Sequence, residues 1–365
     1  MNINTRKLHE MGQRIWLDNI TRQLLTSGTL ARYISELSVT GLTSNPTIFE
    51  HAIGGGDSYD DAIALGAAQG VSDEELFFEL ALQDLTRAAD LFRPMFDSTG
   101  GGDGWVSLEL SPLLANDSTT TIRAATRLHA RAARPNLFIK IPGTPQGILA
   151  IEQSIFDGVP INVTLLFSRD HYLAAANAYL RGIERRVAAG LDPKVESVAS
   201  LFVSRWDVAA NVGIPPKFHN RLGIAVASQT FSAYRDLLAS NRWGRLASAG
   251  ARPQRLLWAS TGTKDPAARD TLYVESLAAA ETIDTLPEQT LLAFADHGHI
   301  SASLPPDGGD AESVLQEFRR AGIDDQALAA QLQREGVAAF AKSWGGLMAK
   351  IRQKRPHPQA ARALP

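Results

Sequence analysis

Eight short apolar, β-rich runs recur along this chain, separated by longer stretches with helical spacing: "IWLDNI" (15–20), "SVTGLTSN" (38–45), "WVSLELS" (105–111), "NLFIKIP" (136–142), "INVTLLF" (161–167), "VASLFVS" (198–204), "RLLWAST" (255–261) and "ETIDTLP" (281–287). Helical periodicity is plainest over 73–96 and over 168–190, where Ser168 reads as N-cap and Gly190 as the stop. Strands alternating with helices imply a parallel sheet, and eight strands is the count that closes a barrel. The expected fold is therefore α/β, a (β/α)8 TIM barrel with additional C-terminal helices. The competitor is a doubly wound open sheet. No G-x-G-x-x-G follows the first run, and the glycine-rich "TGGGDG" (99–104) precedes a strand, as a plain loop does.

The 365 residues suit a single barrel domain over 1–365, with a helical extension over about 307–355 and a disordered tail at 356–365. A formal net charge of −3 gives no reason to expect a nucleic acid or an acidic membrane surface as partner. With no cysteine, disulfides, thiolate metal sites and cysteine nucleophiles are excluded. The start "MNINTRKLHEMGQR" lacks a signal-peptide core, and no long apolar run appears, so a soluble cytoplasmic protein is expected. Oligomeric state is not legible, and a homodimer stays open.

Parity along the strands carries the functional signal. Side chains alternate faces with period two, and in a parallel barrel the inward face meets a pocket at the C-terminal mouth. In the fourth run Lys140 shares a face with Phe138, opposite Leu137, Ile139 and Ile141. Asn162 and Thr164 oppose Ile161, Val163 and Leu165; Ser200 and Phe202 oppose Ala199, Leu201 and Val203. Ser107 and Glu109 oppose Val106, Leu108 and Leu110, while Trp258 and Ser260 oppose Leu257 and Ala259. Asp18 lies opposite Leu17 and Asn19, and Thr43 and Asn45 share a face. Seven strands thus offer polar groups to one pocket, the pattern of an active site.

An ammonium among apolar neighbours is costly to keep charged, and a neutral amine attacks a ketone to form a Schiff base. The protonated imine is an electron sink for cleavage of the adjacent carbon–carbon bond. Asp18 is the candidate acid/base for the substrate hydroxyl, and Glu109 with Thr164 can move protons through a water during imine formation. Asn45 and Asn162 have donors and acceptors for sugar hydroxyls. Taken singly, each residue has a blander reading. Lys140 could reach out to the rim, Asp18 could cap a helix, and Asn162 and Thr164 could be satisfied core polars. An unpaired buried glutamate at 109 is harder to explain that way.

The motifs "WLDNITRQL", "GLTSNPTIF", "LFIKIPGTPQGI", "INVTLLFS", "SLFVSRWD" and "WASTGTKDP" together resemble the transaldolase family, over about Leu8 to Met348. The resemblance implies a Schiff-base enzyme of the non-oxidative pentose phosphate pathway that moves a dihydroxyacetone unit between sugar phosphates and needs no metal or cofactor. It implies that Lys140 forms the imine, Asp18 is the acid/base, and Glu109 and Thr164 hold the relay water. Asn45 and Asn162 would bind the sugar, and Ser200, Arg205 and Ser260 its phosphate. Where well-known members have an arginine two positions after the strand-seven serine, this chain has Gly262, and Lys264 in the longer loop is the candidate replacement. Phe202 separates the transferase from fructose-6-phosphate aldolases, which tend to have tyrosine there. A barrel that only binds sugar phosphates is the third reading. The "DHGH" segment (296–299) offers too few ligands for a metal site by itself, and Phe77, Phe78, Phe92 and Phe96 read as helix core.

Overall fold

All eight runs form strands, and these pair in parallel, in chain order, into one closed barrel. The computed structural model describes residues 2–212 and 214–356. The strands are β1 (Arg14–Leu17), β2 (Val39–Thr43), β3 (Trp105–Glu109), β4 (Leu137–Pro142), β5 (Ile161–Leu166), β6 (Ser197–Phe202), β7 (Arg255–Ala259) and β8 (Thr282–Leu286). The two expected helices span Asp73–Ser98 and Arg169–Ala188; Ser168 caps the second, and Gly190 takes φ +68° just beyond it. Phe77, Phe78 and Phe92 are buried core, and Phe96 meets the edge of Trp105 at 5.2 Å.

Several strands stop short of the apolar run that announced them. β1 ends at Leu17, so Asp18 is the first residue past it; Asn45 and Ser260 likewise lie just beyond β2 and β7. Past the strand ends these three side chains line the mouth of the pocket.

The barrel interior below the mouth is apolar. Trp105 stacks on Phe138 at 4.1 Å and Trp16 tilts against the same ring at 6.1 Å, with Val198, Leu257 and Ile283 around them. Trp16 occupies the space a side chain at residue 41 would need: a Cβ on Gly41 would stand 2.5 Å from the indole nitrogen. That nitrogen donates to Asp103 Oδ1 at 3.2 Å. The plug shuts one end of the barrel and leaves its C-terminal end open.

Period-two alternation fails at two places. Leu165, expected to face outward, packs inward with Phe167 and Phe202, because the β5–β6 register slips between Val163 and Leu166 and Leu165 takes φ +58°. A bulge of this kind turns a side chain to the other face. In β7 it is Leu257 and Ala259 that face inward, whereas Trp258 packs outward among the helices. Ser260 nevertheless reaches the pocket, since its φ of +56° redirects it after the strand has ended. Its expected parity was therefore wrong, although its expected location was right.

Asp284 of β8 lies between Ile283, which faces the interior, and Thr285, which lines the mouth, so it points outward among the helices with no solvent exposure. Thr261 donates to its Oδ1 at 2.9 Å, while Oδ2 has no partner among the described residues. Burial pushes this carboxyl up to about 7. The folded state thus holds the proton more tightly than the unfolded chain, and Asp284's contribution to stability is lost as pH rises toward and through that value. Against an unfolded carboxyl near pH 3.9, the loss is roughly 4 kcal/mol over the full transition. Asp284→Asn is expected to flatten thermal midpoint against pH and to exceed the wild type above pH 7. Parallel curves for the two proteins would refute this account.

Beyond β8 the chain forms the helix Glu288–His297, then Ala311–Arg320 and the 30-residue helix Asp325–Lys354, the additional C-terminal helices expected of the fold. Of the expected tail at 356–365, residues 357–365 lie outside the described residues. Among the described residues, no helix is long and apolar enough to cross a membrane.

Candidate active site

The register of three adjacent strands assembles the site. Glu109 on β3 pairs with Lys140 on β4, and Lys140 with Asn162 on β5. Lys140 Nζ lies 3.0 Å from Glu109 Oε2 and donates to the Ser44 carbonyl at 3.2 Å. The lysine is only 5% exposed, so it does not reach the rim. Burial raises the Glu109 carboxyl above its ordinary range, and the Lys140 charge opposes that rise. Thr164, one strand across from Pro142, is fully buried, and its hydroxyl has no partner among the described residues. Asn162 donates to Ser107 Oγ at 3.1 Å and accepts from Ser200 Oγ at 2.7 Å, which fixes its amide beside the lysine. The Ser200 proton is thereby directed at Asn162, and its oxygen is left as an acceptor.

On the opposite wall, Thr43 Oγ1 donates to Asp18 Oδ1 at 2.7 Å and lies 2.6 Å from Thr285 Oγ1. One hydroxyl has one proton, so with Thr43 donating to Asp18, Thr285 donates to Thr43. Burial raises the Asp18 carboxyl; the Lys140 charge, the Thr43 hydrogen bond and Lys264 hold it down in part. The next residue, Asn19, donates to Glu288 Oε2 at 2.9 Å, and Tyr33 grips the other oxygen at 2.7 Å, anchoring the loop that carries Asp18. Asn45 caps the helix Pro46–Gly54, accepting from Ile48 N at 3.0 Å through Oδ1. That leaves its Nδ2 donors for the pocket.

These groups surround a cavity of about 260 Å³ at the carboxyl ends of the strands. Asp18, Asn45, Lys140, Ser200, Phe202, Arg205, Ser260 and Lys264 line it; Glu109, Thr164 and Asn162, though next to the lysine in the sheet or one strand on, are not part of the lining. Sequence reasoning overlooked Thr285, Thr47, His51, Pro287 and Phe340, which also line the cavity, and gave Thr43 no role. Thr285 was detectable, since applying parity to "TIDTL" places it with Ile283. Phe340 comes from the C-terminal helix and had no strand pattern to reveal it.

Arg205 is half-buried, and burial works against its charge while Glu109 and Glu335 favour it. Neither Arg205 nor Lys264 has a hydrogen-bond or ion-pair partner among the described residues, whereas most arginines here pair with carboxylates. Lys264 Nζ lies beside Gly262, where a Cβ would stand 3.5 Å from it, an ordinary contact, and 3.2 Å from Pro287 Cγ. The pocket therefore presents two unneutralised cations a short way from a lysine–glutamate pair and an aspartate. The "DHGH" histidine His297 instead pairs at the surface with Asp270 and Asp296.

A family model described as Transaldolase/Fructose-6-phosphate aldolase matches residues 15–351. The chain belongs to the transaldolase/fructose-6-phosphate aldolase family. It is 43% identical over 356 residues to a transaldolase of Parafrankia sp. (strain EAN1pec), covering 95% of this chain and 96% of that protein. A transaldolase of Thiobacillus denitrificans is 42% identical over 359 residues, 96% of this chain and 100% of its own length. Transaldolase 1 of Streptomyces avermitilis is 43% identical over 357 residues, 95% of this chain and 94% of its own. With such similarity over nearly the full length, the chain is an enzyme of the transaldolase type, a transferase. Within this family fold, the lining cations and the Lys140–Glu109 pair are the groups whose chemistry has to be accounted for.

Proposed function

We propose that the protein transfers a dihydroxyacetone unit from a ketose phosphate, sedoheptulose 7-phosphate or fructose 6-phosphate, to an aldose phosphate, glyceraldehyde 3-phosphate or erythrose 4-phosphate. The observation that carries the substrate class is the pair of unpartnered cations, Arg205 and Lys264, lining the same cavity as Lys140. A phosphate dianion satisfies both, and arginine can grip it through two parallel N–H groups. Ser260, whose Oγ lies 3.0 Å from Ser204 Oγ, adds a hydroxyl at that end.

In this reading the Lys140 amine, having passed a proton to Glu109, attacks the ketose carbonyl, and water leaves to form the iminium. Glu109 and Thr164 exchange protons with that water, a role consistent with a buried carboxyl beside the amine and a hydroxyl lacking a protein partner. Asn45 holds a substrate hydroxyl through its free Nδ2 donors, and Asn162, ordered beside the lysine by Ser107 and Ser200, has its second Nδ2 hydrogen for another. Asp18 removes the proton from the hydroxyl whose carbon is released, the carbon–carbon bond breaks, and its electrons enter the iminium to give an enamine. The aldose leaves. An acceptor aldehyde is then attacked by the enamine, Asp18 returns the proton, and hydrolysis frees Lys140. We place this activity in the cytoplasm, in the non-oxidative pentose phosphate pathway.

Phe202 supports transfer over simple aldol cleavage. It packs on Phe167 at 5.2 Å and offers the pocket a ring with no hydroxyl to position water. The test is glyceraldehyde 3-phosphate release from fructose 6-phosphate, with and without erythrose 4-phosphate. Release that requires the acceptor is the expected result; equal release without it would make the protein an aldolase. Arg205→Ala is expected to raise KM for fructose 6-phosphate roughly tenfold to a hundredfold, the worth of a charge-assisted hydrogen bond. The effect on unphosphorylated fructose should be much smaller. Equal weakening for both would leave Lys264 as the phosphate group.

A further inference from the structure

The C-terminal helix Asp325–Lys354 is not simply an appendage to the barrel. Its buried residues Ala329, Leu332, Gly336, Phe340, Trp344, Leu347 and Ile351 form one stripe at helical spacing, which lays the helix across the mouth. Gln333 Nε2 donates to the Gly143 and Leu165 carbonyls at 3.1 and 3.0 Å, tying it over the ends of β4 and β5. Thr47 Oγ1 donates to Ser343 Oγ at 2.8 Å, tying it to the helix that follows β2. Between these two anchors the helix presents Gly336 and Phe340.

Both of those residues face Arg205. The guanidinium carbon lies 5.2 Å from the centroid of the Phe202 ring and 5.8 Å from that of Phe340. Gly336 leaves the space beside it: a Cβ there would come within 3.4 Å of Arg205 Nη1 and 2.9 Å of Leu165 Cδ2. Arg205 has no carboxylate or carbonyl partner among the described residues, so the two rings and the helix backbone are what fix its direction. Planar guanidinium groups bind to aromatic faces, and a guanidinium held between rings keeps its N–H edge free for a ligand.

We propose that Phe340 is a positioning residue for phosphate recognition: with Phe202 it clamps the Arg205 guanidinium, and the C-terminal helix thereby completes the phosphate end of the pocket. The proposal rests on the reading of Arg205 as a phosphate ligand. It assigns the helix a part in substrate specificity that stability alone does not require. Phe340 touches no reacting atom, and its effect passes through Arg205.

The test compares Phe340→Leu, Phe340→Met and Phe340→Tyr with the wild type and with Arg205→Ala. Fructose 6-phosphate and fructose serve as donors, and inorganic phosphate as a competitive inhibitor. Loss of a partly desolvated cation–π contact corresponds to about threefold to tenfold in affinity. Phe340→Leu and Phe340→Met are expected to raise KM for fructose 6-phosphate and Ki for phosphate by about that factor, with kcat changing less. Fructose turnover should fall far less, and Phe340→Tyr, which keeps the ring, should restore phosphate binding. Two apolar variants of different shape guard against a folding defect in one. Unchanged Ki in both variants, or an equal loss for fructose and fructose 6-phosphate, overturns the clamp. If Arg205→Ala is itself unselective, the phosphate reading of Arg205 fails and the clamp fails with it; if Arg205→Ala is selective and the Phe340 variants are silent, the clamp alone fails.

Discussion

Lys140→Arg will abolish turnover and leave the barrel folded. Arginine stays protonated and cannot attack a carbonyl, so the covalent route closes. It keeps a positive charge, so Glu109, 3.0 Å from the amine, is not left as an isolated buried anion. That choice matters, because removing one member of a buried ion pair costs about 3–5 kcal/mol and would confuse loss of chemistry with loss of fold. The expected fall in kcat is on the order of 10⁶-fold, the scale seen when a catalytic nucleophile is deleted from a hydrolase. Borohydride with fructose 6-phosphate should trap a covalent adduct on the wild type and none on the variant. Circular dichroism should be unchanged. Trapping on a well-folded Lys140→Arg protein would place the imine on another lysine, with Lys264 the first to examine.

The barrel was legible because its signal is redundant. Eight short apolar, β-rich runs with helices between leave few other architectures, and small errors at run ends do not disturb the count. Lys140 and Glu109 were legible for a related reason: each is a lone charge on an otherwise apolar strand, and strict alternation in β3 and β4 puts both on the same side. Alternation stops being a guide where the backbone leaves the extended region. Leu165 and Ser260 both take positive φ, which local sequence gave no glycine to announce, and both point opposite to their parity. No site residue was expected on β8. Asp284 is its most conspicuous residue, yet it faces the helices, and the quieter Thr285 faces the pocket. Phe340 is separated from every strand it serves by the whole C-terminal segment. Its place in a helical stripe reads as packing, and only the three-dimensional path of the helix over the mouth brings it to Arg205.

Asp18→Ala will separate carbon–carbon cleavage from imine formation. Asp18 stands across the cavity lining from the lysine, and its Oδ1 is held by Thr43, itself backed by Thr285. No ion pair or hydrogen bond joins it to Lys140 among the described residues, whereas Glu109 is within 3.0 Å. The amine therefore has a proton partner without Asp18, and imine formation should survive its removal. General acid/base groups contribute about 10²–10⁴-fold, so transfer should fall by that factor while borohydride still traps fructose 6-phosphate. The pH profile adds a second reading. Burial already raises the Asp18 carboxyl, and as a base it works only when ionised, so the acid limb of kcat should lie above the ordinary aspartate range. The Thr43 hydroxyl donates to the ionised form and holds the value down; Thr43→Val removes that bond and should move the acid limb to higher pH. If Asp18→Ala loses trapping as completely as Lys140→Arg, or if Thr43→Val moves the limb to lower pH, Asp18 is not the base for bond cleavage, and Glu109 would have to serve both steps.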